Sequence, residues 1–303
     1  MKALFITDFL TQNNLKFSQN EPMNRHSTFK VGGCADFFVM TKNVNEVKLV
    51  YDFCNQNNIP LTVLGKGSNI LVSDSGIEGI VLIIDDANEI IVNADNTIVC
   101  SAGASLVSLC LTAQQNSLSG LEFAYGIPGS VGGAIYMNAG AYGGEIKDVI
   151  VSATVLENGE IKEISEKDML LSYRSSIFKS NDAIILSAKF KLKPDNTDEI
   201  KARMTNFMNR RRDKQPLEFA NAGSTFKRPE GNFAGTLIEK SGLKGYTVGG
   251  ACVSEKHAGF VINTGNATSD DIKKLIKHIQ NTVFKDSGVM LEREVIYVGR
   301  GEN

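Results

Sequence analysis

Two stretches of this 303-residue chain bring together residues that can hold a negatively charged ligand. The first is GKGSN, formed by Gly65, Lys66, Gly67, Ser68 and Asn69, directly after the apolar run LTVL. Its glycines let successive backbone N–H groups converge on an anion, and Ser68 and Asn69 add side-chain donors. Taken alone, the segment reads more readily as a turn between strands. It lacks the third glycine of the Rossmann fingerprint and the Lys-Ser or Lys-Thr of a P-loop, so two common nucleotide folds lose their support. The second stretch, YGIPGSVGGAIYMNAGAYGG at 125–144, holds seven glycines in twenty residues. Close helix-to-sheet packing explains one or two of these. The full density lets backbone approach a large planar ligand and its phosphates where a Cβ would interfere. Two such loops without a Rossmann signature point to a dinucleotide held in a different fold.

An acid placed among apolar residues is a second kind of signal. In LEREVIYV, strand alternation puts Glu292, Glu294, Ile296 and Val298 on one face and Leu291, Arg293, Val295 and Tyr297 on the other. A carboxylate entering such a strand needs a partner or a function. The cationic run RRRDK at 210–214 ends a helical stripe, and Arg210 and Arg211 there complement the negative end of a helix dipole. The three histidines, His26, His257 and His278, never stand at i, i+4 spacing, and the five cysteines form no C-x-x-C pair, so no metal site is expected. Cys34, Cys54, Cys100, Cys110 and Cys252 read as buried free thiols in a reducing compartment.

The balance of 32 Lys+Arg against 34 Asp+Glu gives a net charge of −2, which argues against nucleic acid or an anionic membrane as partner. MKALFITDFL is too short and too interrupted for a signal-peptide core, and the longest aliphatic run, Ile80 to Ile84, is far too short to span a bilayer. The expectation is a cytoplasmic protein.

The elements that must position these residues are of mixed type. After a polar lead-in, Asp36 to Met40 reads as a strand, and apolar residues at 44, 47, 50, 51 and 54 predict a helix over 44–57. Strands are expected at Leu61 to Leu64, Ile80 to Ile84 and Ile98 to Ser101, with a helix from Ser105 to Gln115. Alternation from Ile184 to Leu192 predicts a half-buried strand that stops at Pro194. The cluster PDNTDE at 194–199 then places a boundary near residue 195, giving domains of 1–195 and 196–303. The second begins with a helix carrying Ile200, Met204, Phe207 and Met208. It also contains a helix from Asp270 to Lys285, with Ser269 as candidate N-cap, a stripe of Ile272, Leu275, Ile276, Ile279 and Val283, and Gly288 at its end.

The ordered set GKGSN, GIPGSVGGAIYMNAGAYG, YRSSIFK at 173–179, NAGSTFKRP at 221–229, GLKG at 242–245 and LEREV at 291–295 closely resembles the UDP-N-acetylenolpyruvoylglucosamine reductase family over nearly the whole chain. The resemblance implies an α+β protein: a two-part flavin-binding domain of the vanillyl-alcohol-oxidase type, then a smaller α+β domain for the UDP-sugar. The short stretch between NAGSTFKRP and GLKG is similar to the family's shorter form, which lacks a tyrosine-bearing substrate loop. Non-covalent FAD is implied at Gly65, Lys66, Gly67, Ser68, Asn69, Gly126, Pro128, Gly129, Ser130, Gly132, Gly133, Asn138, Ala139 and Gly140.

The same resemblance implies Arg174, Ser224 and Glu294 as catalytic residues, with Glu294 chosen over Glu292 by the motif alone. Lys214, Lys227, Arg228 and Lys244 are the implied substrate contacts, while His257 is left out as a structural residue. The implied reaction is reduction of UDP-N-acetylglucosamine enolpyruvate to UDP-N-acetylmuramate, a peptidoglycan precursor, with NADPH as hydride donor and no obligatory protein partner. Two rivals stand beside it. A flavin oxidase of the same fold would often tether its flavin through His or Cys, and His26 is the one histidine in the first 250 residues. A nucleotide-sugar binder without redox chemistry needs one anion loop, not two.

Overall fold

The computed structural model describes residues 2–85 and 89–302 and divides them into two compact units. The first comprises 1–19, 37–65 and 79–209, and the second 20–36, 66–78 and 210–303. The boundary expected near 195 thus falls between Asn209 and Arg210, inside a helix, and two early segments belong to the second unit. No local signal marks those early segments, because what claims them is pairing with residues more than 200 positions away.

Helix α1 (Lys2–Gln12) turns Ile6 and Leu10 into the core of the first unit, where the Phe9 ring stacks on Phe53 at 3.6 Å. With the strand Lys16–Pro22 it replaces the expected polar lead-in. Helix α2 (Val44–Asn57) follows its stripe, capped by Asn43, whose side chain accepts from the Glu46 N–H. A four-stranded sheet runs in the order Lys16–Pro22, Cys34–Thr41, Ile77–Ile84, Leu61–Leu64, the last pair parallel. A five-stranded antiparallel sheet follows, ordered Glu160–Ser165, Ile150–Glu157, Ile184–Lys191, Thr97–Ser101, Ile90–Val92. Helix α3 (Leu106–Gln115) begins at the Ser105 cap, and α4 (Val131–Tyr136) packs on the strand Ile184–Lys191. Helix α5 (Thr197–Lys214) anchors its first half in this unit with Ile200 and Met204. Arg203 adds hydrogen bonds to Glu122 at 2.8 Å, to Ser119 and to Asp195.

The second unit builds a four-stranded sheet in the order Ala220–Asn221, Val261–Asn263, Ala251–Val253, Thr247–Val248. Its helices are α6 (Ala234–Lys240) and α7 (Ser269–Ser287). All five stripe residues of α7 are buried, and Gly288 ends the helix at φ +72°. The cap is Thr268, not Ser269. Thr268 accepts from the Asp271 N–H in a capping box, while Ser269 is the first helical residue and fully buried. The strand expected over 291–298 is also shorter: Ile296–Val298 pairs in parallel with Ile70–Val72, and Arg293 makes a single bridge to Phe226. Among the cysteines, Cys54, Cys100 and Cys110 are buried, but Cys34 is exposed and Cys252 half-buried, which corrects the reading of all five as core thiols. Burial pushes the Cys54 and Cys100 thiols up to about 12. Among the described residues no helix is long and apolar enough to cross a membrane.

Candidate active site

In the first unit the glycine-rich stretches meet back to back. Gly65 follows the strand Leu61–Leu64, and a Cβ on it would run into the hydroxyl of Ser130. Ser130 is buried and caps α4, accepting from the Gly133 N–H at 3.3 Å. The Val131 and Gly132 N–H groups donate to the Ala104 and Ala102 carbonyls at 2.9 and 2.8 Å, and the Leu106 N–H donates to the Gly129 carbonyl at 3.0 Å. This double zipper forces close approach. A Cβ on Gly132 would lie 3.0 Å from the Ala102 Cβ, one on Gly140 2.7 Å from the Gly144 carbonyl, and one on Gly144 2.7 Å from the Phe123 ring. The protein's own packing therefore accounts for at least three of the seven glycines, more than the sequence reading allowed. Backbone near a surface remains at half-buried Gly126 and Gly129 and at exposed Pro128 and Gly133. Such a cradle suits the flavin dinucleotide that the resemblance implies.

Lys66, Gly67, Ser68 and Asn69 belong to the second unit. Gly67 turns the chain at φ +64° against the His26 carbonyl, and its own carbonyl accepts from the Thr28 N–H at 3.0 Å. Among the described residues the N–H groups of Lys66, Gly67 and Ser68 make no hydrogen bond within the protein, which leaves three adjacent donors for an anion. Asn69 is committed elsewhere. Its carbonyl accepts from the Ile296 N–H at 3.0 Å, and its Nδ2 donates to the Glu294 carbonyl at 3.3 Å.

Arg174 stands in a two-residue hairpin of the first unit. Ser172 and Ser175 exchange both backbone hydrogen bonds, at 3.1 and 3.0 Å, and Arg174 adopts φ +53°. Its Nη2 donates to the Gly140 carbonyl at 3.0 Å, and its guanidinium carbon lies 5.1 Å from the centre of the Tyr173 ring. The half-buried guanidinium is thus fixed at the end of the second glycine stretch. Asn138, expected to touch the cofactor, is fully buried with its amide engaged by Glu145, Lys147 and Ser172, so its side chain offers no surface to a ligand. Half-buried Ala139 bonds through its backbone to Ala134 and Ile146.

In the second unit Ser224 and Glu294 lie on paired segments. The Glu294 N–H donates to the Thr225 carbonyl at 2.9 Å, and the Lys227 N–H donates to the Glu292 carbonyl at 2.8 Å. Thr225 is buried and held by Gly259 and Val261, while Ser224 beside it is exposed. The two candidate acids separate cleanly. Glu292 is an exposed ion-pair partner of Lys227, whereas Glu294 is half-buried between the Asn69 and Thr225 bonds. Arg293 packs on the Tyr297 ring at 3.3 Å.

Lys244 pairs with Glu239 at 2.7 Å, Lys214 is exposed at the end of α5, and Arg228 lies 4.0 Å above the Phe233 ring. His257 lies near Lys244 and Lys214; its stretch SEKHAGFVIN also fits a family motif, but in sequence a lone histidine reads as structural. Burial holds its pKa below the ordinary histidine value, and the nearby charges of Lys244 and Lys214 act in the same direction. Its Nδ1 accepts from the Gly259 N–H at 3.1 Å. The hydrogen-bonding atoms that hold Arg174, on Ser172, Asn138 and Gly140, were silent as a set, because only the fold brings 138–140 beside 172–176.

Comparisons with known proteins agree along the chain. Residues 35–165 match the family described as FAD binding domain, and residues 215–298 match the one described as UDP-N-acetylenolpyruvoylglucosamine reductase, C-terminal domain. A UDP-N-acetylenolpyruvoylglucosamine reductase from Lachnoclostridium phytofermentans is 49% identical over 289 residues, covering 94% of this chain and 93% of its own. One from Listeria monocytogenes serovar 1/2a is 48% identical over 282 residues, covering 92% and 94%. The crystal structure of the Thermus caldophilus reductase superposes with a TM-score of 0.81 at 31% identity, over 94% of this chain and 98% of that one. A glucooligosaccharide oxidase from Acremonium strictum, at 13% identity and a TM-score of 0.51, shares the fold alone.

Proposed function

This chain belongs to the UDP-N-acetylenolpyruvoylglucosamine reductase family and is an FAD-binding oxidoreductase, and from that premise we propose its substrates and the roles of its residues. It takes hydride from NADPH, reduces the enolpyruvyl group of UDP-N-acetylglucosamine enolpyruvate, and releases UDP-N-acetylmuramate for peptidoglycan synthesis. The glycine-rich backbone would hold FAD non-covalently, and the bound group would supply hydride chemistry for the enolpyruvyl double bond. The chain's own side chains handle the charge and the proton. Arg174, held by the Gly140 carbonyl, presents a planar fork to the substrate carboxylate, onto which negative charge spreads as hydride arrives. Ser224, exposed on a backbone-fixed turn, delivers the proton to C2; a hydroxyl can do so because the carbanion is strongly basic. Glu294, on the segment paired with that of Ser224, is the second proton-handling group. Lys214 and Lys244, with Lys227 and Arg228 nearby in sequence, supply positive charge for the diphosphate. The reading assigns flavin to 1–195 and the UDP-sugar to 196–303.

The single observation that carries the reading is the placing of the two acids: Glu294, which the motif selected, is half-buried on the segment bonded to Thr225 beside Ser224, whereas Glu292 is exposed in an ion pair with Lys227. The test is spectroscopic. The purified protein should be yellow, bleach with NADPH in the absence of oxygen, and regain colour when UDP-N-acetylglucosamine enolpyruvate is added. Colour that survives NADPH, or fails to return with the sugar, contradicts the proposed reaction. A chromophore that stays with the denatured chain contradicts non-covalent binding.

A further inference from the structure

A non-glycine residue in the left-handed region is disfavoured and persists only where its surroundings over-determine it. Arg174 is such a residue, at φ +53°. The exchanged Ser172 and Ser175 bonds close its hairpin but do not say where the hairpin stands. Three ties to the end of the second glycine stretch do. The Ser176 hydroxyl donates to the Tyr136 carbonyl at 2.7 Å, the Arg174 Nη2 to the Gly140 carbonyl at 3.0 Å, and between them the Asn138 Nδ2 to the Ser172 carbonyl at 3.0 Å. The middle tie comes from a side chain with 0% exposure. The same Nδ2 donates to Glu145 Oε2 at 2.7 Å, and Oδ1 accepts from the Lys147 N–H at 3.0 Å. With acceptors on one side and a donor on the other, the amide has one orientation that satisfies every partner. Asn138 itself sits at φ +40°, where asparagine is more at ease than most residues.

We propose that Asn138 is a positioning residue for the reaction: its bond to the Ser172 carbonyl sets the hairpin that aims the Arg174 guanidinium at the substrate carboxylate. The proposal rests on the role given to Arg174 above. Its rival is a purely structural Asn138 that only braces the Glu145–Lys147 corner. The two donations of Nδ2 separate these roles, since one reaches the corner and the other reaches the hairpin.

Asn138→Asp turns both donations into contacts between acceptors. It should leave flavin reduction by NADPH within about twofold of wild type and slow the enolpyruvyl half-reaction at least about tenfold, measured by rapid mixing. The double variant N138D/E145Q restores a donor toward the corner but none toward Ser172. Its thermal stability and flavin content should recover while the enolpyruvyl half-reaction stays slow. A double variant with the wild-type enolpyruvyl rate overturns the proposal, as does either variant that slows both half-reactions in parallel. If Asn138→Asp does not retain flavin, Asn138→Ser removes the reach to Ser172 without burying a charge and is read in the same way; loss of flavin in both assigns Asn138 to structure. Added to Arg174→Ala, Asn138→Asp should slow the enolpyruvyl half-reaction no further, and an additive loss contradicts action through Arg174. Should Arg174→Ala alone leave that half-reaction intact, the reading of Arg174 fails and takes this proposal with it. Should Arg174→Ala be impaired and Asn138→Asp not, the proposal fails alone.

Discussion

The corner that carries Arg174 and the strand pair that carries Ser224 and Glu294 are built by different means. Arg174 is set by side chains: an amide, a hydroxyl and its own guanidinium each reach across to the neighbouring segment. Ser224 and Glu294 are set by backbone, through the Glu294–Thr225, Lys227–Glu292 and Thr225–Gly259 bonds, which no substitution short of proline removes. The contrast teaches where each function is fragile. Under the proposed roles, Arg174 depends on the identity of several neighbouring side chains, whereas Ser224 and Glu294 rest mainly on backbone bonds, with the Asn69 side chain adding one to the Glu294 carbonyl.

The comparison breaks most visibly at Arg174. Arg174→Ala should lower turnover by about 10²–10³, the loss typical of removing one fixed charge-stabilising donor. Arg174→Lys should not recover it, because a point charge cannot hold the Gly140 carbonyl and still present a planar fork. Steady-state turnover of the lysine variant near wild type would count against the assignment. The backbone-built pair gives the next effect. Glu294→Gln should cost about 10² in turnover, while Glu292→Gln should change it less than about threefold, since the carbonyl and not the carboxylate of residue 292 holds the strand. Equal losses in the two variants would remove the distinction between the acids.

The smallest effect is on stability, again in the side-chain-built unit. Burial pushes the Glu122 carboxyl up, but its own N–H, Arg203, the Gly120 N–H and Ser119 outweigh that and hold it below the usual range. Asp195 is lowered by the Asn196 N–H and by Arg203. Depressed carboxyl pKa values give stability that is present above the unfolded value near 4 and lost as pH falls through the folded value. Arg203→Ala should therefore lower stability by about 1–2 kcal/mol at pH 7, by leaving Glu122 underbonded. The deficit should shrink below about pH 4, and denaturant titrations at the two pH values check it. A deficit that persists unchanged at pH 3 would show that Arg203 acts by packing.

The elements with local periodicity were legible from sequence. The stripe of α2, the extent of α3, the stripe of α7 and the alternation of Ile184–Lys191 were written within about a dozen residues. What stayed hidden was non-local. Residues 20–36 and 66–78 join the second unit, the latter through pairing such as Ile70–Val72 with Ile296–Val298, which no window of sequence contains. The glycine density announced close approach but not to what, and Ala102, Glu145 and Phe123 proved to be among the partners. At the site, the motif pointed to Glu294, while the ion pair of Glu292 with Lys227 exists only after folding. Asn138 read as one more polar residue in a ligand loop, since its burial and its bond to Ser172 exist only after folding.

Under the proposed roles, Ser224 acts only in the half-reaction that reduces the enolpyruvyl group and takes no part in flavin reduction by NADPH. Ser224→Ala, followed by rapid mixing, tests it directly. The variant should show normal flavin content and a wild-type rate of flavin reduction by NADPH, with oxidation of the reduced enzyme by UDP-N-acetylglucosamine enolpyruvate slowed by at least about 10². Slowing of both half-reactions to the same extent would make Ser224 a structural turn residue, and an undiminished second half-reaction would place the proton donor elsewhere.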